Sequence, residues 1–144
     1  MLFGRRKRTI RRIMVVEDEP LTAFDNEHLL RDSGYEVVAT VDNVAAAREV
    51  IAREPLDLIL TDIRLRGAGD GADVAREAVA AEIPVLFVTG HCPEEARVLA
   101  VGCLAKPYSD RTLKAALDAV DGLLSGRRSK RVPPGLTIYE KEEG

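Results

Sequence analysis

Four short apolar runs, separated by segments of helical periodicity, constrain the fold of this chain more than any other feature. They are Ile13-Met14-Val15-Val16, Leu58-Ile59-Leu60-Thr61, Val85-Leu86-Phe87-Val88 and Cys103-Leu104-Ala105. Each run ends on a polar residue suited to phosphoryl chemistry: Glu17-Asp18, Asp62, Thr89 and Lys106 respectively. Strand-length runs alternating with amphipathic segments indicate repeated βα units around a parallel sheet, and their continuous apolar character indicates burial on both faces. In that arrangement the four polar positions collect at one edge.

The pattern predicts strands near 12–17, 36–41, 57–61, 84–89 and 102–106, and helices near 20–33, 43–53, 71–81, 93–100 and 110–124. Pro20 and Pro93 suit first helical positions, Gly34 suits a helix stop and Ser109 a cap. Leu113, Leu117, Val120 and Leu124 give the last helix one apolar face for the sheet. Beyond it, Arg127 to Arg131 and Pro133-Pro134-Gly135 mark a boundary. The expected organisation is a basic N-terminal arm over 1–11, one domain over 12–125 and a mobile tail over 126–144, in which Leu136, Ile138 and Tyr139 could form a docking patch.

Charge is uneven along the chain. Residues 13–125 carry 10 Lys/Arg against 21 Asp/Glu, whereas residues 1–12 carry six basic groups and no acid. An acidic body argues against a folded domain that binds nucleic acid, which would present a basic face. No apolar stretch is long enough to span a bilayer, and the run after the basic start is too short for a signal peptide, so the expected location is cytoplasmic. Cys92 and Cys103 have no metal-ligand or CxxC spacing and are expected to remain thiols, with a redox switch as the less common reading.

If the first and third strands are neighbours, Glu17, Asp18 and Asp62 converge, and three close carboxylates repel without a cation. Mg²⁺, a hard oxygen-seeking ion, is the natural counter-charge. Thr89 then offers a hydroxyl, and Lys106 a cation, to a phosphoryl group beside that metal. Gly67-Ala68-Gly69-Asp70-Gly71 lacks nucleotide-loop spacing and reads as a flexible loop near the site.

On Val15-Val16-Glu17-Asp18-Glu19-Pro20, Leu60-Thr61-Asp62-Ile63-Arg64-Leu65, Phe87-Val88-Thr89-Gly90 and Leu104-Ala105-Lys106-Pro107-Tyr108, the chain closely resembles the receiver domain of bacterial two-component response regulators. The resemblance covers about residues 12–125 and implies an α/β fold, a flavodoxin-like (βα)5 doubly wound parallel sheet of strand order 2-1-3-4-5. It implies Asp62 as phosphoacceptor, with Mg²⁺ held by Asp18, Asp62, Glu17 through water and the backbone carbonyl of Arg64. Thr89 and Lys106 would contact phosphoryl oxygens, and Lys106-Pro107 would be cis. The implied partners are a sensor histidine kinase or phosphotransfer protein and a downstream protein. The chain would be a phosphoacceptor with self-catalysed phosphotransfer and dephosphorylation, not an enzyme acting on a separate substrate.

Cys103 stands where receivers often carry a switch aromatic, so Thr89 is expected to move while the readout lies in 90–101, a stretch short for a full fourth helix. Phe87-Val88-Thr89-Gly90 resembles stand-alone receivers with an F-A-T-G type motif, some tied to general stress signalling, although Cys92 replaces an aromatic of that subgroup. Arg64 and His91, two residues past Asp62 and Thr89, are candidate modulators of water access; Cys103, at the switch position, and Tyr108, nearby but at a different place, are further candidate modulators. Two other classes compete. A Mg²⁺-dependent phosphohydrolase would need an Asp-x-Asp pair, and Ile63-Arg64 supplies no second acid. A phosphorylation-independent interaction module would not need the intact set of Glu17, Asp18, Asp62, Thr89 and Lys106.

Overall fold

The computed structural model describes residues 8–127 and 132–139. Its sheet has the order β2-β1-β3-β4-β5-β6, where β1 is Arg12–Val16, β2 Glu36–Val41, β3 Leu58–Thr61, β4 Val85–Thr89, β5 Gly102–Ala105 and β6 Leu136–Ile138. The first five strands are parallel in the order 2-1-3-4-5, and β6 pairs antiparallel with β5. Helices α1 (Pro20–Asp32), α2 (Val44–Arg53), α3 (Gly71–Ala80) and α4 (Asp110–Leu124) connect them.

Alternation along each strand divides the core into two layers. Ile13, Val15, Leu58, Leu60, Leu86, Val88 and Leu104 pack with Leu30 of α1 and Leu113, Leu117 and Val120 of α4. Met14, Val16, Ile59, Val85, Phe87 and Cys103 point to the other face, where Val44 and Ala47 of α2 and Val74, Ala75 and Ala78 of α3 cover them. Both faces are apolar because both are covered, which is why the strands read as continuous runs rather than alternating ones.

Local chemistry sets the helix ends. Ser109 Oγ accepts from the Thr112 amide at 3.1 Å, and Asn43 Oδ1 accepts from the Ala46 amide at 2.9 Å. Asp70 and Asp73 form a reciprocal capping box at the start of α3. The glycine-rich loop is therefore held at its end rather than free. Gly71 is obligatory there: a Cβ would lie 2.0 Å from the Asp62 carbonyl oxygen.

Three sequence expectations are corrected. The helix expected over 93–100 is a single 3₁₀ segment, Glu94–Val98, starting after Pro93. Residues 136–138, expected in a mobile tail, extend the sheet. Gly102 permits this pairing, because a Cβ there would meet the Thr137 carbonyl oxygen at 2.7 Å. Residues 8–11, expected in a basic arm outside the domain, pack against it: Ile10 is fully buried, and the Arg8 guanidinium lies 4.3 Å from the Tyr35 ring centroid. The rest of the arm, 1–7, and residues 128–131 and 140–144 of the tail lie outside the described residues.

Candidate functional site

The carboxyl edge of the sheet is assembled by backbone hydrogen bonds between neighbouring strands. The Asp62 amide donates to the Val16 carbonyl at 3.0 Å, which sets the end of β3 beside Glu17. The Lys106 amide donates to the Thr89 carbonyl at 2.7 Å, which sets the end of β5 beside that of β4. Parallel register thus converts four sequence positions into one cluster.

Glu17, Asp18 and Asp62 each offer a carboxylate oxygen, and these oxygens lie within 4.8 Å of one another. Lys106 Nζ donates to Glu17 Oε1 at 2.8 Å and to Asp62 Oδ2 at 2.7 Å. Glu17 and Asp62 are buried, at 2% and 8% exposure. Burial by itself would lower the Lys106 pKa, but the hydrogen bonds to Asp62 and Glu17 and their charges outweigh it, and the ammonium is held above the usual lysine range. Arg66, exposed to solvent, comes within 3.8 Å of Asp18. One ammonium and one screened surface guanidinium face three carboxylates. An all-oxygen donor set with excess negative charge fits a hard divalent cation such as Mg²⁺.

Beside the cluster is a cleft of about 490 Å³ lined by Asp62, Ile63, Arg64, Thr89, Gly90, His91, Pro93 and Lys106. Thus the structure brings Arg64, Thr89, His91 and Lys106 together with Asp62. The Arg64 amide donates to Asp62 Oδ1 at 3.2 Å, so this carboxylate is oriented by its own chain on one oxygen and by Lys106 on the other. Lys106-Pro107 is cis.

Tyr108 is not among the residues walling the cleft. Its hydroxyl pairs with the Asn26 side-chain amide of α1, at 2.9 Å from Nδ2 and 3.1 Å from Oδ1, and burial raises its pKa. Cys103 faces the α2–α3 layer and is fully buried. It is joined by a disulfide to Cys92, which corrects the expectation that both remain thiols. Pairing β5 with β4 puts Cys103 opposite Phe87, and the chain leaving β4 turns back over the sheet far enough to bring the Cys92 Cα within 6.1 Å of the Cys103 Cα.

Two further groups escaped the sequence reading. Asn26 is 4% exposed and holds Tyr108. Asp121 is 5% exposed: Oδ1 accepts from the amides of Thr9 and Ile10 at 2.8 and 2.7 Å, and Oδ2 from Arg127 at 2.9 Å. Its signal was present, since Asp121 falls four residues after Leu117 on the apolar stripe of α4. No described helix is long and apolar enough to cross a membrane.

Residues 13–118 match the family described as the response regulator receiver domain. The sensory transduction protein RegX3 of Mycobacterium tuberculosis is 36% identical over 114 residues, covering 75% of this chain and 49% of that protein. The chain spans about half the length of the curated relatives it matches. Among solved structures, the receiver domain of a sensor histidine kinase from Pseudomonas aeruginosa, with a magnesium ion coordinated in its active-site cleft, has a TM-score of 0.68 and 29% identity, covering 78% of this chain and 98% of that one. A response regulator receiver protein from Sinorhizobium medicae has a TM-score of 0.67 and 29% identity, covering 77% and 94%.

Proposed function

The chain belongs to the response regulator receiver domain family, and from that premise we propose that Asp62 accepts a phosphoryl group from a partner histidine kinase or phosphotransfer protein in a Mg²⁺-dependent reaction. The observation that carries this reading is the double anchoring of Asp62, by the Arg64 amide and by Lys106, in the lining of a cleft of about 490 Å³. An Asp62 oxygen forms the new bond to phosphorus as the bond to the donor's imidazole nitrogen breaks. Phosphoryl transfer of this kind requires mainly alignment and neutralisation of charge.

Glu17, Asp18 and Asp62, with the Arg64 carbonyl, would hold Mg²⁺. The ion supplies neutralisation of phosphoryl oxygen charge when bound. Lys106, already charged and oriented by two carboxylates, exchanges part of that pairing for a phosphoryl oxygen, and the Thr89 hydroxyl binds another. Arg64 and His91, on the cleft wall, govern the access of water to the acyl phosphate. The phosphorylated domain then signals in the cytoplasm by a changed affinity for a downstream protein or by onward relay. No observation favours the phosphohydrolase or the phosphorylation-independent module.

Incubation with Mg²⁺ and acetyl phosphate followed by intact mass tests the reading. The expected result is a single phosphoryl gain that is lost in Asp62→Ala. Retention of that gain in Asp62→Ala, or no gain in the parent, would remove Asp62 from this role.

A further inference from the structure

The stretch after β4 is held in an unusual way. Among the described residues, Gly90, His91 and Cys92 make no backbone hydrogen bond outside regular elements, and no side-chain bond involves His91. The first such bond comes at Pro93, whose carbonyl accepts from the Ala96 amide at 3.1 Å. Gly90 has open space where a Cβ would sit, so steric contact does not fix the turn there either. The covalent tie between this segment and the sheet is the Cys92–Cys103 disulfide, which links positions 11 apart in sequence and joins the wall of the cleft to the fully buried Cys103 of β5. Two residues flanking Cys92, His91 and Pro93, line the cleft with Asp62, Thr89 and Lys106.

We propose that Cys92 and Cys103 are a reversible dithiol–disulfide site, and that its redox state sets how firmly the 90–93 wall is held against the Asp62 cleft. The chemistry is thiol–disulfide exchange with a low-molecular-weight disulfide. Cys92, half-buried and so the accessible sulfur, attacks as thiolate, forms a mixed disulfide and expels one thiolate. Cys103 then attacks the Cys92 sulfur, the intramolecular bond forms, and the second donor thiolate leaves. The protein loses two electrons and two protons, and the donor disulfide becomes two thiols. Reduction runs the same steps in reverse.

The oxidised form keeps His91 and Pro93 in place. In the reduced form the wall has no bond to the sheet between Thr89 and Pro93, and water reaches Asp62 more easily. The consequence for acyl-phosphate lifetime rests on the proposed role of Asp62, whereas the redox site and the tether do not.

The test equilibrates the full chain with glutathione disulfide or with excess dithiothreitol, then measures three properties of each form. Alkylation with iodoacetamide under denaturing conditions is expected to label neither cysteine in the first form and both in the second. Backbone amide order parameters at 91 and 92 are expected to fall from about 0.85 to below about 0.6 on reduction. Loss of phosphoryl from Asp62 is expected to be about threefold faster in the reduced form, a modest part of what small misplacements cost in such sites. Cys92→Ser and Cys92→Ala, chosen because Cys92 is the less buried partner, are expected to show the reduced behaviour in both buffers.

Labelling of both cysteines after oxidation, or equal order parameters in the two forms, would overturn the proposal. So would a redox response that persists in both Cys92 variants. If Asp62 never loads with phosphoryl in either form, the phosphoacceptor reading fails, while trapping and order parameters still decide the redox site. Equal phosphoryl lifetimes with changed order parameters would overturn the link to the cleft.

Discussion

Asp62 and Asp121 are both buried carboxylates, 8% and 5% exposed, set at opposite ends of the sheet, and they are satisfied in opposite ways. Asp121 has two backbone amides on one oxygen and the Arg127 guanidinium on the other, so its charge and lone pairs are matched within the fold. Asp62 shares a single ammonium with Glu17, and Asp18 adds a third carboxylate within 4.8 Å of both. A matched buried charge fastens a structure. An under-matched cluster beside an open cleft is what the proposed uptake of a cation and a phosphoryl group requires, so what separates the structural acid from the candidate site here is the ratio of carboxylates to cationic partners rather than burial.

Removing Lys106 should have the largest effect. Lys106→Met leaves three carboxylates without their ammonium and is expected to slow phosphoryl acceptance by about 10²-fold, as loss of one oxyanion-stabilising donor does in other sites. Timed intact-mass measurement with a fixed phosphodonor checks this, and a rate equal to the parent's would show that the lysine serves only to pair the acids. At the other end the same kind of deletion should register as stability. Asp121→Ala strands the Thr9 and Ile10 amides and is expected to lower the unfolding free energy by about 2 kcal/mol in urea denaturation, with phosphoryl acceptance by the folded protein unchanged. A comparable loss of acceptance would mean that the two ends are coupled.

The smallest expected effect is in alkali. Burial, opposed by Arg8 and reinforced by the charges of Asp118 and Asp121, pushes the Tyr35 phenol from 10.0 up to about 12. A folded pKa above the unfolded value means that the stabilisation is complete below pH 10 and is lost as pH rises toward 12. Burial raises Tyr108 and Tyr139 as well, so the absorbance titration of tyrosinate is compared with that of Tyr35→Phe, which should lose a late-titrating phenol; a normally titrating phenol lost instead would contradict the burial of Tyr35.

The contrast between the two ends also marks what the sequence made legible. The candidate cluster is encoded by position: each of Glu17-Asp18, Asp62, Thr89 and Lys106 directly follows an apolar run, and parallel pairing makes such positions neighbours. Asp121 and its partners are joined across 111 and 112 residues, and no periodicity in either segment connects Thr9 or Ile10 to the end of α4. The strand at Leu136–Ile138 was obscured because it follows a charge run and two prolines, and only the free edge of β5 and the missing side chain of Gly102 give it a place. The spacing of Cys92 and Cys103 matches no motif, so it carries no sign of their pairing. Their meeting depends on the pairing of β5 with β4 and on the turn after β4, which spacing alone does not encode.

The central claim is that the Glu17–Asp18–Asp62 cluster is under-matched and the Asp121 site is not. A Mg²⁺ titration followed by amide chemical shifts tests it most directly. Saturable shifts at Glu17, Asp18 and Asp62, with Thr9 and Ile10 unmoved and the response weakened in Asp18→Asn, are the predicted result. Shifts that fail to saturate at the cluster, or that appear equally at Thr9 and Ile10, would contradict it.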